Sequence, residues 1–205
     1  MTAVMGTPRL RKEDPKLLTG EGKYVDDIQA HGQLWMGMVR SPFAHAKVNG
    51  IKTDDAKKMP GVHSVFTGAE LSEMGLWAAP LPCAWPVTED MLNPPHFPTA
   101  VGEVHHVGEI VAVVLAETRS QAVDAAEFVE VDYEPLPAVA SVNDAIAGQK
   151  LAHSDLSTNK AFHWALEPNP DAVNQAFANA AHTVTGEFIQ QRLIPAAMEP
   201  RGVLA

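Results

Sequence analysis

VGEIVAVVLAETRSQAVDAAEFVEVDYEPLPAV, residues 107–139, carries a complete strand–helix–strand pattern. Residues 110–116 form an unbroken apolar run of strand length, rich in Val and without polar alternation, the composition of a strand covered on both faces. Thr118 and Gln121 stand three apart as a capping-box pair, and Ala122, Ala125, Ala126 and Val129 recur at i, i+3, i+4 and i+7, one helical face. Because that face is mostly alanine, a short helix can lie close against a sheet. Val129, Val131 and Tyr133 then alternate with Glu130 and Asp132, the period of a strand with one wet face, until Pro135 and Pro137 end it. The stretch predicts α/β core.

Toward the N-terminus the same logic predicts a strand over 33–39, broken by Ser41-Pro42, and a second over 46–51. Thr53 caps a short helix through Lys58, Pro60-Gly61 turns the chain, 62–67 reads as a third strand, and a helix follows near 69–74. Residues 1–22, punctuated by Pro8, Pro15, Gly20 and Gly22, read as an arm, and Gly20-Glu-Gly22-Lys23 lacks the spacing of a phosphate loop. Between Gly75 and Gly102 periodicity is lost. Six prolines keep this loop extended, and Trp77, Trp85, Met91 and Phe97 are interleaved with them, which predicts packing on a partner surface or neighbouring domain rather than plain disorder.

Beyond Val139 the composition turns small and polar, read as a linker over 138–160, and a new unit is expected from Ala161. Asn169-Pro170 opens a helix whose apolar face is Val173, Ala176, Phe177 and Ala180, and Val184, Gly186 and Phe188 alternate with Thr185 and Glu187 as a strand. One helix and one or two strands cannot bury their own faces, so 161–205 is expected to be the opening of a larger domain.

The balance of 15 Lys+Arg against 25 Asp+Glu gives a net charge of −10, which disfavours nucleic acid and anionic membrane as partners. No apolar run reaches membrane-spanning length and no apolar segment follows the basic residues at the start, so a cytoplasmic location is expected. Cys83, the single cysteine, supports no disulfide framework and no Cys-ligated cluster.

Chemistry is sparse. None of the nine histidines sits in a metal-binding helical pair, and His105-His106 read as strand neighbours would point to opposite faces, so no metal ligands are assigned. Asp26-Asp27 and Asp54-Asp55 suit a turn and a helix start, Ser41, Ser64 and Ser72 lack an elbow sequence, and Cys83 lacks the signature of an activated thiol. Glu199 and Arg201, flanking Pro200, suit either a local ion pair or a ligand contact. No catalytic residue is assigned.

Six collinear motifs nevertheless carry a resemblance. RLRKEDPKLLTGEGKYVDDI, GQLWMGMVRSPFAHAKV, MPGVHSVFTG, VGEIVAVVLAET, VEVDYEPLPAV and AAMEPRGVLA resemble, in order, the start of the molybdenum-containing large subunit of the xanthine dehydrogenase, aldehyde oxidase and carbon monoxide dehydrogenase family. The chain departs from that pattern where Ile110 replaces a proline after Val-Gly-Glu and where His105-His106 replace an Arg and an aromatic. The resemblance implies an α/β hammerhead domain over about 23–137 and the start of a molybdopterin-binding domain over 161–205.

It further implies an oxidoreductase in which a molybdenum-pterin dinucleotide serves the hydroxylation of an aldehyde, N-heterocycle or carbon monoxide with water-derived oxygen. Electrons would leave through [2Fe-2S] clusters to FAD, both on partner subunits of a hetero-oligomer. Gln190, Gln191, Arg192 and Glu199 match the family's first pass near the pterin, where amide and guanidinium donors would suit a polar edge or phosphate. The general base and most cofactor loops of the family lie later than this stretch, so the chain alone would be inactive. The competing expectation is a non-catalytic docking or assembly module, or a gene fragment, keeping only the hammerhead fold.

Overall fold

A computed structural model describes residues 5–6, 8, 10–76, 79–83, 87–166, 169–191, 193–197 and 199–205. It divides into two compact units, one of residues 34–180 and one formed by residues 1–33 together with 181–205.

In the larger unit, β1 (Trp35–Arg40), β2 (Ala46–Lys52), α2 (Asp54–Lys57), β3 (Val62–Thr67), α3 (Gly68–Glu73), β4 (Glu103–Val104), β5 (Ile110–Ala116), α4 (Arg119–Ala126), β6 (Glu130–Pro135), α5 (Val142–Ala147) and α6 (Pro170–Ala178) follow in order, α1 (Asp14–Leu18) belonging to the smaller unit. The strands make two antiparallel sheets of three, β1-β5-β3 and β4-β2-β6. The strands on either side of α4 therefore belong to different sheets: α4 carries the chain from the centre of one sheet to the edge of the other. Both sheets share one core, since Val39, Ile51 and Val131 pack against buried residues of each.

Helix α4 forms as its sequence predicts. Thr118 Oγ1 accepts the Gln121 amide N–H (3.3 Å), while its hydroxyl donates to Gln121 Oε1 (2.9 Å). Ala122 and Ala125 are buried, and the close approach is set from the sheet side: a Cβ on Gly37 would lie 2.3 Å from the Ala122 carbonyl oxygen. Beneath the helix Ala112 and Val114 of β5 are fully buried, each buried valine of this kind being worth roughly 1.5–3 kcal/mol. Coverage of β5 on its other face is uneven. Val111 is buried in the core shared with the second sheet, whereas Val113 and Leu115, paired with the exposed Met38 and Met36, are only partly buried.

Three sequence expectations change. Thr53 precedes α2 with near-helical dihedrals and its side chain makes no capping bond, while Thr67, which was not singled out, closes a full capping box with Glu70 at α3. The span 138–160 is not a plain connection: Ser141 caps α5, Gly148 ends it in the left-handed conformation, and Asn159 laces the following loop. Its Oδ1 accepts from the Ala152 N–H (2.9 Å) and its Nδ2 donates to the carbonyls of Lys150 (2.7 Å) and Ala145 (3.2 Å). The strand expected over 184–188 does not form; those residues pair with no ladder and Val184 and Phe188 are over nine-tenths exposed.

The proline loop docks in part on its own unit. Thr99 and Ala100 are buried, the Leu81 amide donates to the His96 carbonyl (2.7 Å) and the Leu92 amide to the Ala161 carbonyl (2.8 Å). Trp77 and Trp85, on which the expectation of a partner surface leaned, lie outside the described residues. No helix among the described residues is long and apolar enough to cross a membrane.

Candidate functional site

The densest polar cluster in the larger unit grows from EVHHVGE, residues 103–109. Gly108, with φ +87°, turns the chain between β4 and β5. The turn is stitched to the end of β1 by paired backbone bonds, the Gly108 amide to the Ser41 carbonyl and the Ser41 amide to the Glu109 carbonyl, both 2.8 Å, and Arg40 Nη1 donates to the Gly108 carbonyl (2.7 Å). That bend overturns the expectation for His105 and His106. They do not point to opposite faces of a strand: both rings approach the buried carboxylate of Glu109, His106 Nδ1 at 3.5 Å and His105 Nδ1 at 3.9 Å.

Glu103 is the hub. Its Oε1 lies 2.8 Å from His45 Nε2 and 3.3 Å from His105 Nε2, and accepts the Ser154 amide N–H at 3.3 Å, while Ser154 donates its hydroxyl to Oε2. His45, buried before β2, also sets Nδ1 2.9 Å from the Pro137 carbonyl oxygen. The rings of His105 and His153 stack, centroids 4.1 Å apart at 25°. Glu103, His105, His153 and Ser154, with Phe97, Val101 and Asp155, line a recess of ≈ 170 Å³.

Electrostatics sorts the cluster. Burial works against ionisation of Glu103, but the bonds from Ser154 and His45 outweigh it and hold the carboxyl below its usual range. Glu109 is lowered likewise, by His105 against burial. The Glu109 carboxylate raises His105, whereas burial and the neighbouring His105 lower His153. The arrangement is a carboxylate-centred clamp. Among the described residues no group of three or more His, Cys, Asp or Glu is placed to hold a metal ion, and no nucleophile–base–orienter series is assembled. Sequence reading missed the cluster because Glu109 sits inside an apolar-looking motif; four ionisable side chains within seven residues beside a glycine was the available signal.

The residues assigned to a cofactor lie in the smaller unit, in a segment without regular structure. Gln190 and Gln191 are exposed, Arg192 lies outside the described residues, and the exposed Glu199 accepts the Val25 amide N–H through Oε1 (3.1 Å). Glu199 is thus engaged by Val25 rather than by Arg201. Gly202 also packs against Val25, where a Cβ would meet Val25 Cγ1 at 2.4 Å. The exposed amides of Gln190 and Gln191 have the right chemistry for a pterin edge, but among the described residues they and Glu199 form no enclosure and by themselves do not fit a bound molybdenum-pterin cofactor.

Residues 19–137 match the family model described as aldehyde oxidase and xanthine dehydrogenase, a/b hammerhead domain. The chain belongs to this family. The hammerhead match takes in every strand of the two sheets, which is the α/β architecture expected. The family member nicotine 6-hydroxylase large subunit of Paenarthrobacter nicotinovorans is 37% identical over 98% of this chain and 24% of its own length. The carbon monoxide dehydrogenase large chain of Hydrogenophaga pseudoflava is 34% identical over 95% of this chain and 24% of its own. Among solved structures, quinoline 2-oxidoreductase from Pseudomonas putida 86 superposes with a TM-score of 0.65 at 40% identity, covering 74% of this chain and 19% of that one. The chain spans about a quarter of the length of the curated relatives it matches.

Proposed function

We propose that this hammerhead-family chain is the N-terminal part of the molybdopterin-binding subunit of a molybdenum hydroxylase and is inactive alone. The carrying observation is alignment along almost the entire chain with a relative named as a hydroxylase large subunit. The complete enzyme would be an oxidoreductase acting with water-derived oxygen, held in a hetero-oligomer with a [2Fe-2S] subunit and an FAD subunit in the cytoplasm. Of the open substrate classes, aldehyde, N-heterocycle and carbon monoxide, the N-heterocycle is favoured, because two of the matched proteins are named for nicotine and quinoline. The chemistry would belong to the molybdenum cofactor and the protein's share would be positioning. Gln190, Gln191, Arg192 and Glu199 would come to the cofactor together with further donors that complete an enclosure around it.

Affinity isolation of the tagged protein from its native host, with metal and flavin analysis, tests this reading. Molybdenum, iron and FAD are expected with partner polypeptides, and labelled oxygen from water is expected in the product of a quinoline-type heterocycle. Label entering only an aldehyde or carbon monoxide product would shift the substrate class. A metal-free chain recovered without partners would replace the enzyme reading with the docking or assembly module.

A further inference from the structure

The His45–Glu103–His105–His153 cluster does work that the proposed function leaves unused: it holds down the loop that follows α5. That loop is internally braced by Asn159. Two contacts fasten it at the β4 end of the second sheet, the Ser154 N–H and hydroxyl on Glu103, and the His153 ring on His105. The two stacked rings have unequal surroundings. His105 has Glu103 at 3.3 Å and Glu109 at 3.9 Å, while His153 forms no ion pair among the described residues and has Asp155 as its nearest chain neighbour in charge. Two cationic rings with centroids 4.1 Å apart repel, and a neutral His105 gives up its attraction to Asp155 of the loop.

We propose that Glu103, His105 and His153 form a proton-tuned clasp that fastens residues 152–160 to the β4–β5 turn when one ring is charged and the other neutral, and loosens it in either other state. The groups facing the pair are His45 from the start of β2, Glu103 from β4, His106 and Glu109 from the turn, and Asp155 from the loop itself. His105 is raised above its ordinary 6.5, chiefly by Glu109 of the turn and in smaller part by Asp155 of the loop; the part owed to Asp155 fastens the loop, is complete below that pH and is lost as pH rises through the folded value. His153 is lowered from the same 6.5, so its contribution is present above that pH and lost as pH falls through its folded value. The clasp is therefore tightest near 6.5 and weakens on both sides, with Glu103 protonation releasing it further in acid.

Nuclear magnetic resonance of the full chain, following the two imidazole ring protons and the Ser154 amide between about pH 5 and 8, the range in which histidine titrates, is the test. His105 is expected to titrate above and His153 below the ordinary value, and the Ser154 amide shift to trace a bell. His153→Phe, which keeps a stacking ring and cannot take a proton, should abolish the acid limb at neutral-to-mild acid pH and leave the alkaline one. A single shared midpoint for the two rings, or a Ser154 amide that does not move with either, overturns the clasp. The wild-type titration decides the matter even where the variant fails to fold.

Discussion

Helices α4 and α6 begin alike and end differently. Each has a side-chain N-cap, Thr118 and Asn169, and α6 adds proline in its first turn and has the more sharply divided apolar face. Yet α4 buries Ala122 and Ala125, whereas no residue of α6 is buried and Phe177 is 62% exposed. Capping and periodicity decide whether a helix forms; a partner surface decides whether it is held. Helix α4 follows immediately on β5, and the neighbouring β1 offers it a glycine rather than a side chain. Among the described residues, the segments flanking helix α6 make no ladder.

The largest effect should come from closing that gap. Gly37→Val would drive a branched side chain into the Ala122 carbonyl, and a loss of about 3 kcal/mol or more is expected in urea unfolding. An unchanged midpoint would mean that α4 is not held by its approach to β1. Val114→Ala, beneath the same helix, should cost about 2 kcal/mol through the cavity it leaves. Removing the caps then sharpens the contrast. Thr118→Ala should lower global stability by about 1 kcal/mol, while Asn169→Ala, which likewise removes an N-cap bond, should leave the global midpoint within a few tenths and show only as faster amide exchange in 170–178. Equal losses from the two would show that α6 is packed after all. Smallest in stability is Phe177→Ser, expected to leave unfolding unchanged while reducing the binding of a hydrophobic dye.

Much of the hammerhead was legible locally. The apolar run of β5, the alternation of β6 and the alanine face of α4 each state their own conformation, because period and cap chemistry act within a few residues. The six ordered motifs also pointed to the family, which the hammerhead match now shows. The site was legible only in part. Gln190, Gln191 and Glu199 could be named from a resemblance, but their sequence neighbours say nothing of an enclosure, and the structure finds them exposed. His45, Glu103 and His153 are separated by tens of residues and meet only because β2 lies beside β4 and the α5 loop folds back over both.

By itself, then, the sequence determined most elements of the hammerhead, the net negative charge and the family, since these rest on local period, composition and ordered motifs. Tertiary structure alone decided that the strands flanking α4 enter different sheets, that the 184–188 alternation stays unpaired, and that His45 and Ser154 meet the carboxylate of Glu103. The physical reason is the same in each case. A strand is completed by hydrogen bonds to another strand, and an ionisable side chain takes its chemistry from charges brought to it across space, neither of which is written in neighbouring residues.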